Sequence, residues 1–416
     1  EQIMLLGDKS IKSEEKLTRI YPQENLFSHI IGQIDDDNNG ISGIEKSYDI
    51  ELKNIKEPLK LTVDTDIQFL IRKELIKFQE IFKNIGSAAI LMNIDNGEIL
   101  SMVSLPDFNL NKRENITDVN YINRTTKGVY ELGSVFKTFT VAAGLDAGLI
   151  DSDTKFSNLE KRLVCGKSTI TEYDNKIPSD LTVEEILIKS GNIGSVRIGQ
   201  KLKIEGLKSF LEKIGVLNKI DFDIEEVGEP YPFRWGKCKL ATASFGHGIT
   251  TTPLQIAKAY AIISNGGFKI KPTLIKKDES KVRNNKRIIK KEVSEKINLI
   301  LRKIVVDGTA RLANVEGYEV GGKTGTANKT MIGGYSKKKI NTFASIFPAS
   351  SPKFVFVVLL EEPQINKDYI YEYRDGSGFK LKGSPRNTSG WTSVEVTGKI
   401  LEKIGPILAT KYMEIN

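Results

Sequence analysis

Three short strings carry the chemistry in this chain: Ser134-Val135-Phe136-Lys137, then Ser190-Gly191-Asn192, then Lys323-Thr324-Gly325-Thr326-Ala327. A serine hydroxyl is a weak nucleophile and needs an adjacent base. At positions i and i+3 of a helix, Ser134 and Lys137 share one face, so the lysine is in reach. Lysine serves as a base only when neutral, which requires burial or a second cation nearby. Lys323 is the candidate for that cation, and a helix N-terminus at Ser134 adds positive potential. Ser190 can relay a proton to a leaving nitrogen, and the Asn192 amide can hydrogen-bond a substrate backbone. Lys323, Thr324 and Thr326 can hold a terminal carboxylate. Gly325 leaves room for a ligand to lie along a strand edge. The backbone N–H groups of Ser134 and Thr326 are the candidate oxyanion hole. Each string alone is a common surface pattern; the ordered triple points to acyl transfer through a serine ester.

A rival pattern overlaps the third string. Gly317 to Thr324 fits G-x-x-x-x-G-K-[ST], a phosphate-binding loop. Such a loop must follow a strand and open a helix. Here Val305 to Val315 reads as helical, and Gly-Thr-Ala-Asn-Lys-Thr after Thr324 is no helix start, so a nucleotide hydrolase is only a remote alternative. No G-x-S-x-G or HExxH string occurs.

The elements that must position these residues are partly readable. Thr65-Asp66-Ile67-Gln68 reads as a capping box opening a helix to about Lys83. Ala88–Ile94 and Glu98–Ser104 read as a hairpin turned by Asn96-Gly97. Ser134 to Gly148 reads as a helix. Thr182 and Glu185 cap a short helix ending at Lys189, after which Ser190-Gly191-Asn192 reads as a turn. Thr252-Pro253-Leu254-Gln255 starts another helix, stopped at Asn265-Gly266-Gly267. Tyr318–Gly322, Asn341–Phe347 and Phe354–Leu360 read as strands, and Val394–Lys403 as a closing helix. Strands early, helices in the middle and strands late predict an α+β domain whose sheet joins both ends of the chain. No internal repeat is found.

The chain has 416 residues, 39% of them hydrophobic, enough for a large core. Its net charge of +8 is dispersed. Blocks such as Lys337–Lys339 and the stretch from Arg283 to Lys291 read as solvated faces, and nothing suggests nucleic acid. Two histidines and no CxxC pair argue against a metal site, and no cofactor is expected. Cys165 and Cys238 could pair in an oxidising compartment, but two unpaired core thiols are the preferred expectation. The longest apolar run, Phe354–Leu360, is far short of the ~18 residues of a membrane span. The chain begins at Glu1 without a signal peptide, leaving a cytosolic protein or one cut from its N-terminal anchor. Residues 1 to about 58 look too poor in apolar residues to fold alone.

With all three motifs in place, the chain resembles the monofunctional penicillin-binding proteins, and within them the division-specific branch, penicillin-binding protein 3. Gly40-Ile-Ser-Gly43-Ile-Glu45, Thr62 to Gln68, Asn96-Gly97-Glu98, Ser244-Phe-Gly-His-Gly-Ile-Thr and Thr252-Pro-Leu-Gln extend the resemblance along nearly the whole chain. Ser244-Phe-Gly-His-Gly and Lys-Thr-Gly-Thr-Ala favour the division branch over the elongation-type paralogue. His247 in that stretch is expected to be a satisfied structural histidine. The chain departs from the pattern after Trp391, where Thr392-Ser393-Val394-Glu395-Val396 replaces small residues and a proline.

The resemblance implies a penicillin-binding transpeptidase fold: a central antiparallel sheet flanked by helices, with an all-helical subdomain. Residues 1–58 would be the last part of a pedestal or dimerisation domain, and 59–416 the transpeptidase domain. It further implies a single-pass inner-membrane anchor missing from this chain, a periplasmic catalytic domain, and divisome partners including a glycosyltransferase. The substrate would be a D-Ala-D-Ala stem pentapeptide of peptidoglycan, with β-lactam antibiotics as acylating mimics. A β-lactamase or β-lactam sensor is the other reading of the same motifs.

Overall fold

The computed structural model describes residues 10, 18–54, 56–112, 119–166, 168–276, 286–331 and 333–413. Most of the segment before residue 18, and Arg283 of the basic stretch, lie outside the described residues. The centre is an antiparallel sheet of five strands: β1 (Gly86–Asn93), β2 (Ile99–Leu105), β3 (Gly321–Met331), β4 (Gly334–Phe347) and β5 (Phe354–Glu361). Their order is β2-β1-β5-β4-β3, with Gly86 opposite Glu361 and Asn93 opposite Phe354. That β1–β5 pairing joins the two ends of the chain, as the strand distribution predicts. Every residue of β5 is buried. Its unbroken apolar run is what a strand needs when both faces are covered.

Helices α1 (Thr65–Phe82) and α8 (Ser393–Tyr412) cover one face, while α6 (Pro253–Ser264) and α7 (Lys291–Val306) cover the other. Beyond the sheet lie α2 (Phe136–Asp146), α3 (Val183–Ile188), α4 (Asn192–Ile214, kinked at Lys203) and α5 (Lys237–Ala243). These form the helical part that carries Ser134, Ser190 and their neighbours. Helix α2 is buried from Phe136 to Leu145 with no polar face, so it is fully enclosed by its neighbours. Leu26, Phe27, Ile30 and Ile44 join the same core as the sheet.

Several local expectations are corrected. The cap of α1 is Asp64, whose carboxylate accepts from Asp66 N and Ile67 N, with Thr65 already helical. Ser134 lies in a 3-10 turn, Gly133–Val135, and α2 proper starts one residue later. Asn192 is not in a turn but is the first residue of α4. The third string lies in a strand that runs on to Met331, since β3 and β4 form one long hairpin. A strand, not a helix, therefore follows Lys323-Thr324, which removes the phosphate-loop reading. Helix α8 continues through Pro406 to Tyr412 because Ile404 and Leu408 are buried in the core, and tertiary packing outweighs local propensity. The cysteines are paired, Cys165 to Cys238, with Cα atoms 5.4 Å apart. Neither is a core residue: Cys165 is half-buried and Cys238 exposed.

Other expectations hold. Asn96-Gly97 turns the β1–β2 hairpin with Gly97 at φ +79°. Thr182 with Glu185, and Thr252 with Gln255, form reciprocal capping boxes on α3 and α6.

Candidate active site

Three backbone segments meet at Ser134, and glycine permits each approach. Gly133 sits at φ +60°, and a Cβ on it would stand 2.8 Å from Thr326 O. A Cβ on Gly325 would stand 2.1 Å from Leu132 O, and one on Gly246 only 1.9 Å from Gly133 O. The turn bearing the nucleophile is therefore wedged between edge strand β3 and the Phe245–Gly248 loop. Ser134 is half-buried at the floor of a cleft of about 630 Å³. Among the described residues its hydroxyl has no hydrogen-bond partner.

Lys137, three residues on, is fully buried. Its Nζ donates to Ser190 O (2.5 Å), Ser190 Oγ (3.2 Å) and Asn192 Oδ1 (2.7 Å). Burial brings this lysine down to about 7, partly offset by the nearby Glu172 carboxylate. Lys323, also fully buried, donates to Ser190 Oγ (2.9 Å) and Thr324 O (3.0 Å). Burial and then the neighbouring Lys137 push Lys323 far below the usual lysine range. One hydroxyl, Ser190 Oγ, thus bridges two ammonium groups that burial drives toward neutrality. Ser190 holds φ +56°, a conformation costing a non-glycine residue about 1 kcal/mol, and this turn delivers both its carbonyl and its hydroxyl to the lysines.

The structure thus gathers Ser134, Lys137, Ser190, Asn192 and Lys323 in one place. The Asn192 amide, expected to face substrate, is engaged at both ends: Oδ1 on Lys137 and Nδ2 on Thr171 O (2.8 Å). Thr324 Oγ1 pairs with Thr309 Oγ1 at 2.8 Å, and Thr326 Oγ1 accepts from Ser389 N at 2.9 Å. Thr324 and Thr326 both line the cleft.

Other cleft residues were missed. Arg386 pairs with Asp174 at 3.0 Å, and Arg311 stacks 5.0 Å from the Tyr373 ring centre. Tyr335 donates to Glu131 Oε1 (2.7 Å) and stacks on His247 at 4.9 Å. His247, stacked on Phe245 and Tyr335, also lines the cleft. Arg386, Asp174, Tyr373 and Glu131 come from loops and Arg311 from a short 3-10 turn, while Tyr335 reaches Glu131 from the start of β4; together they form no local string. Glu131, three residues before Ser134, was the one that proximity could have flagged.

A cleft-lining serine, a buried lysine three residues on, a second buried lysine and a hydroxyl bridging the two are the groups that serine acyl transfer needs, on an α+β scaffold. The domain described as penicillin binding protein transpeptidase matches residues 87–377. A probable peptidoglycan D,D-transpeptidase FtsI of Caulobacter vibrioides is 31% identical over 99% of this chain and 70% of its own length. Stage V sporulation protein D of Bacillus subtilis is 31% identical over 88% of this chain and 63% of its own. Peptidoglycan D,D-transpeptidase FtsI of Escherichia coli is 28% identical over 86% of this chain and 65% of its own. Among solved structures, the transpeptidase domain of Burkholderia pseudomallei penicillin-binding protein 3 superposes with a TM-score of 0.70 at 26% identity, covering 84% of this chain and 96% of that one. Penicillin-binding protein 3 of Mycobacterium tuberculosis shares the fold, with a TM-score of 0.79 at 22% identity over 94% of this chain and 90% of that one. The chain belongs to the penicillin-binding protein transpeptidase family.

Proposed function

We propose that this protein is a serine D,D-transpeptidase that cross-links peptidoglycan stem peptides during septal wall synthesis. The observation that carries the reading is the buried cluster of Lys137 and Lys323 joined through Ser190, which lines the same cleft as Ser134. In the first half-reaction Lys137 takes the Ser134 proton as Oγ bonds the carbonyl carbon between the two D-alanines. The oxyanion develops against the backbone N–H groups of Ser134 and Thr326. Lys323, Thr324 and Thr326 orient the terminal carboxylate. As the C–N bond breaks, Ser190 protonates the departing D-alanine, with Lys137 and Lys323 resupplying its proton through the bonds they already make to Ser190 Oγ. In the second half-reaction an acceptor amine attacks the ester, the C–O bond breaks and the proton returns to Ser134. Asn192 takes part by holding Lys137. A β-lactam, with its strained amide, would stop at the ester.

The division role is supported by the FtsI relatives in Caulobacter vibrioides and Escherichia coli. We extend the reading to residues 1–58 as the end of a pedestal domain and 59–416 as the transpeptidase domain. The whole protein would carry a single inner-membrane anchor, work in the periplasm and act with divisome proteins including a glycosyltransferase. The test incubates the protein with a stem pentapeptide ending in D-Ala-D-Ala plus an amine acceptor, and follows D-alanine release and cross-linked product by mass. Cross-linked product from wild type and none from Ser134→Ala is expected. Rapid hydrolysis without transfer would move the reading to a β-lactamase or carboxypeptidase.

A further inference from the structure

An acid that belongs to no motif stands behind the lysine base. Glu172 directly follows the strand Ser168–Thr171, which pairs with Arg162–Cys165. Its carboxylate accepts from the backbone N–H of Asn192 (2.6 Å) and of Ile193 (2.9 Å), the first two residues of α4. The α4 cap position is Gly191, which has no side chain to offer. Glu172 supplies the missing cap from another part of the chain, at the helix end where negative charge is favoured. The adjoining Thr171 carbonyl accepts from Asn192 Nδ2 (2.8 Å), which turns Oδ1 toward Lys137. A lone two-stranded hairpin is marginal in water. This one is tied by Cys165–Cys238 to α5, which packs on α4.

We infer that Glu172 is a positioning residue for the acyl-transfer base: capping α4 from the hairpin, it fixes the Asn192 amide and the Ser190 turn that hold Lys137, and its charge acts on that lysine. The inference rests on the reading of Lys137 as the base of Ser134. Glu172 favours the Lys137 ammonium, against burial. Lys323, from β3, is the other charge beside it. On α6 the neighbouring titratable group is Tyr260, bonded to Thr138 Oγ1 and Val135 O and kept neutral by burial. On the other elements packed on α2, Lys296 pairs with Asp151, Lys303 with Glu184 and Arg197 with Glu160, Arg302 is held by Asn314 Oδ1 and Val320 O, and Glu185 by the backbone N–H of Thr182.

The test compares penicillin acylation rates against pH for wild type, Glu172→Gln and Glu172→Asp, each first checked for folding by thermal melting. Gln keeps an acceptor and removes the charge. Its acidic limb is expected to move to lower pH by roughly half a unit or more, because the ammonium has lost its counter-charge. Its plateau is expected to fall roughly tenfold as the lysine's holders loosen. Asp keeps the charge at shorter reach, so its limb should stay near the wild-type position while its plateau falls. A Glu172→Gln profile matching wild type in limb and plateau overturns the inference. Ser134→Ala run alongside separates the two claims: an adduct on that variant would sink the underlying serine–lysine reading itself.

Discussion

Raising the pH through neutrality should switch on acylation of Ser134. Lys137 is taken from 10.5 to about 7, chiefly by burial. That shift corresponds to ~5 kcal/mol against the ammonium. At pH 7 about half of the molecules would hold a neutral Lys137, against roughly 0.03% for an ordinary lysine, a gain of about 10³ in available base. The sign follows from the role: the neutral form accepts the Ser134 proton, so the rate is low below the folded value, rises through it and levels off above. The assay is the initial rate of covalent penicillin adduct, read by intact mass at short times from about pH 5.5 to 9. The melting curve at each pH must show a folded protein. A rate that rises only toward the ordinary lysine range, or that stays flat across neutrality, would refute the assignment of Lys137 as the base.

Further consequences follow from the same geometry. Gly325→Ala would put a Cβ 2.1 Å from Leu132 O, and by displacing the nucleophile turn should cut acylation about 100-fold. The accompanying stability loss should be about 1–3 kcal/mol by urea titration. Glu395, fully buried against Arg374 (2.7 Å) and bonded by Tyr369, anchors the 370–382 hairpin to α8. Glu395→Ala should cost about 3 kcal/mol in urea unfolding, because the buried Arg374 guanidinium is left with only the more exposed Glu402, 3.2 Å away, as its carboxylate partner. Cys165 and Cys238 close a loop with a sequence separation of 73. Cys165→Ser with Cys238→Ser should lose about 2–4 kcal/mol, seen as a lower melting temperature that reductant no longer changes.

The chemistry of the site was more legible in the sequence than its supports. Ser134, Lys137, Ser190 and Lys323 are recognisable because a serine nucleophile, a lysine base and a proton relay call for those residue types; the structure joins the two lysines through Ser190 and puts Ser134 and Ser190 on one cleft. The β1–β2 hairpin and the capping boxes at Thr182 and Thr252 were legible because each is set by neighbours a few residues apart. The orientation of the Asn192 amide was not legible because it depends on Thr171 and Glu172, about twenty residues upstream, although the residue does line the cleft. The strand expected at Tyr318–Gly322 runs instead from Gly321 to Met331, since the polar Lys323 to Met331 carry no strand pattern and are held extended by pairing with β4. The disulfide was misjudged because two cysteines with no local signature reveal neither exposure nor distance. Arg311, Asp174 and Arg386 reach the cleft from separate loops, a convergence that no single stretch of sequence encodes.

The most direct measurement is the intact mass of the protein after brief penicillin exposure, beside a Ser134→Ala control. The account predicts a single adduct on the wild type, retained for minutes, and none on the variant. An adduct on Ser134→Ala, or none on either protein, would contradict a serine ester at this position. An adduct lost within seconds would keep the nucleophile but assign the protein to hydrolysis of β-lactams.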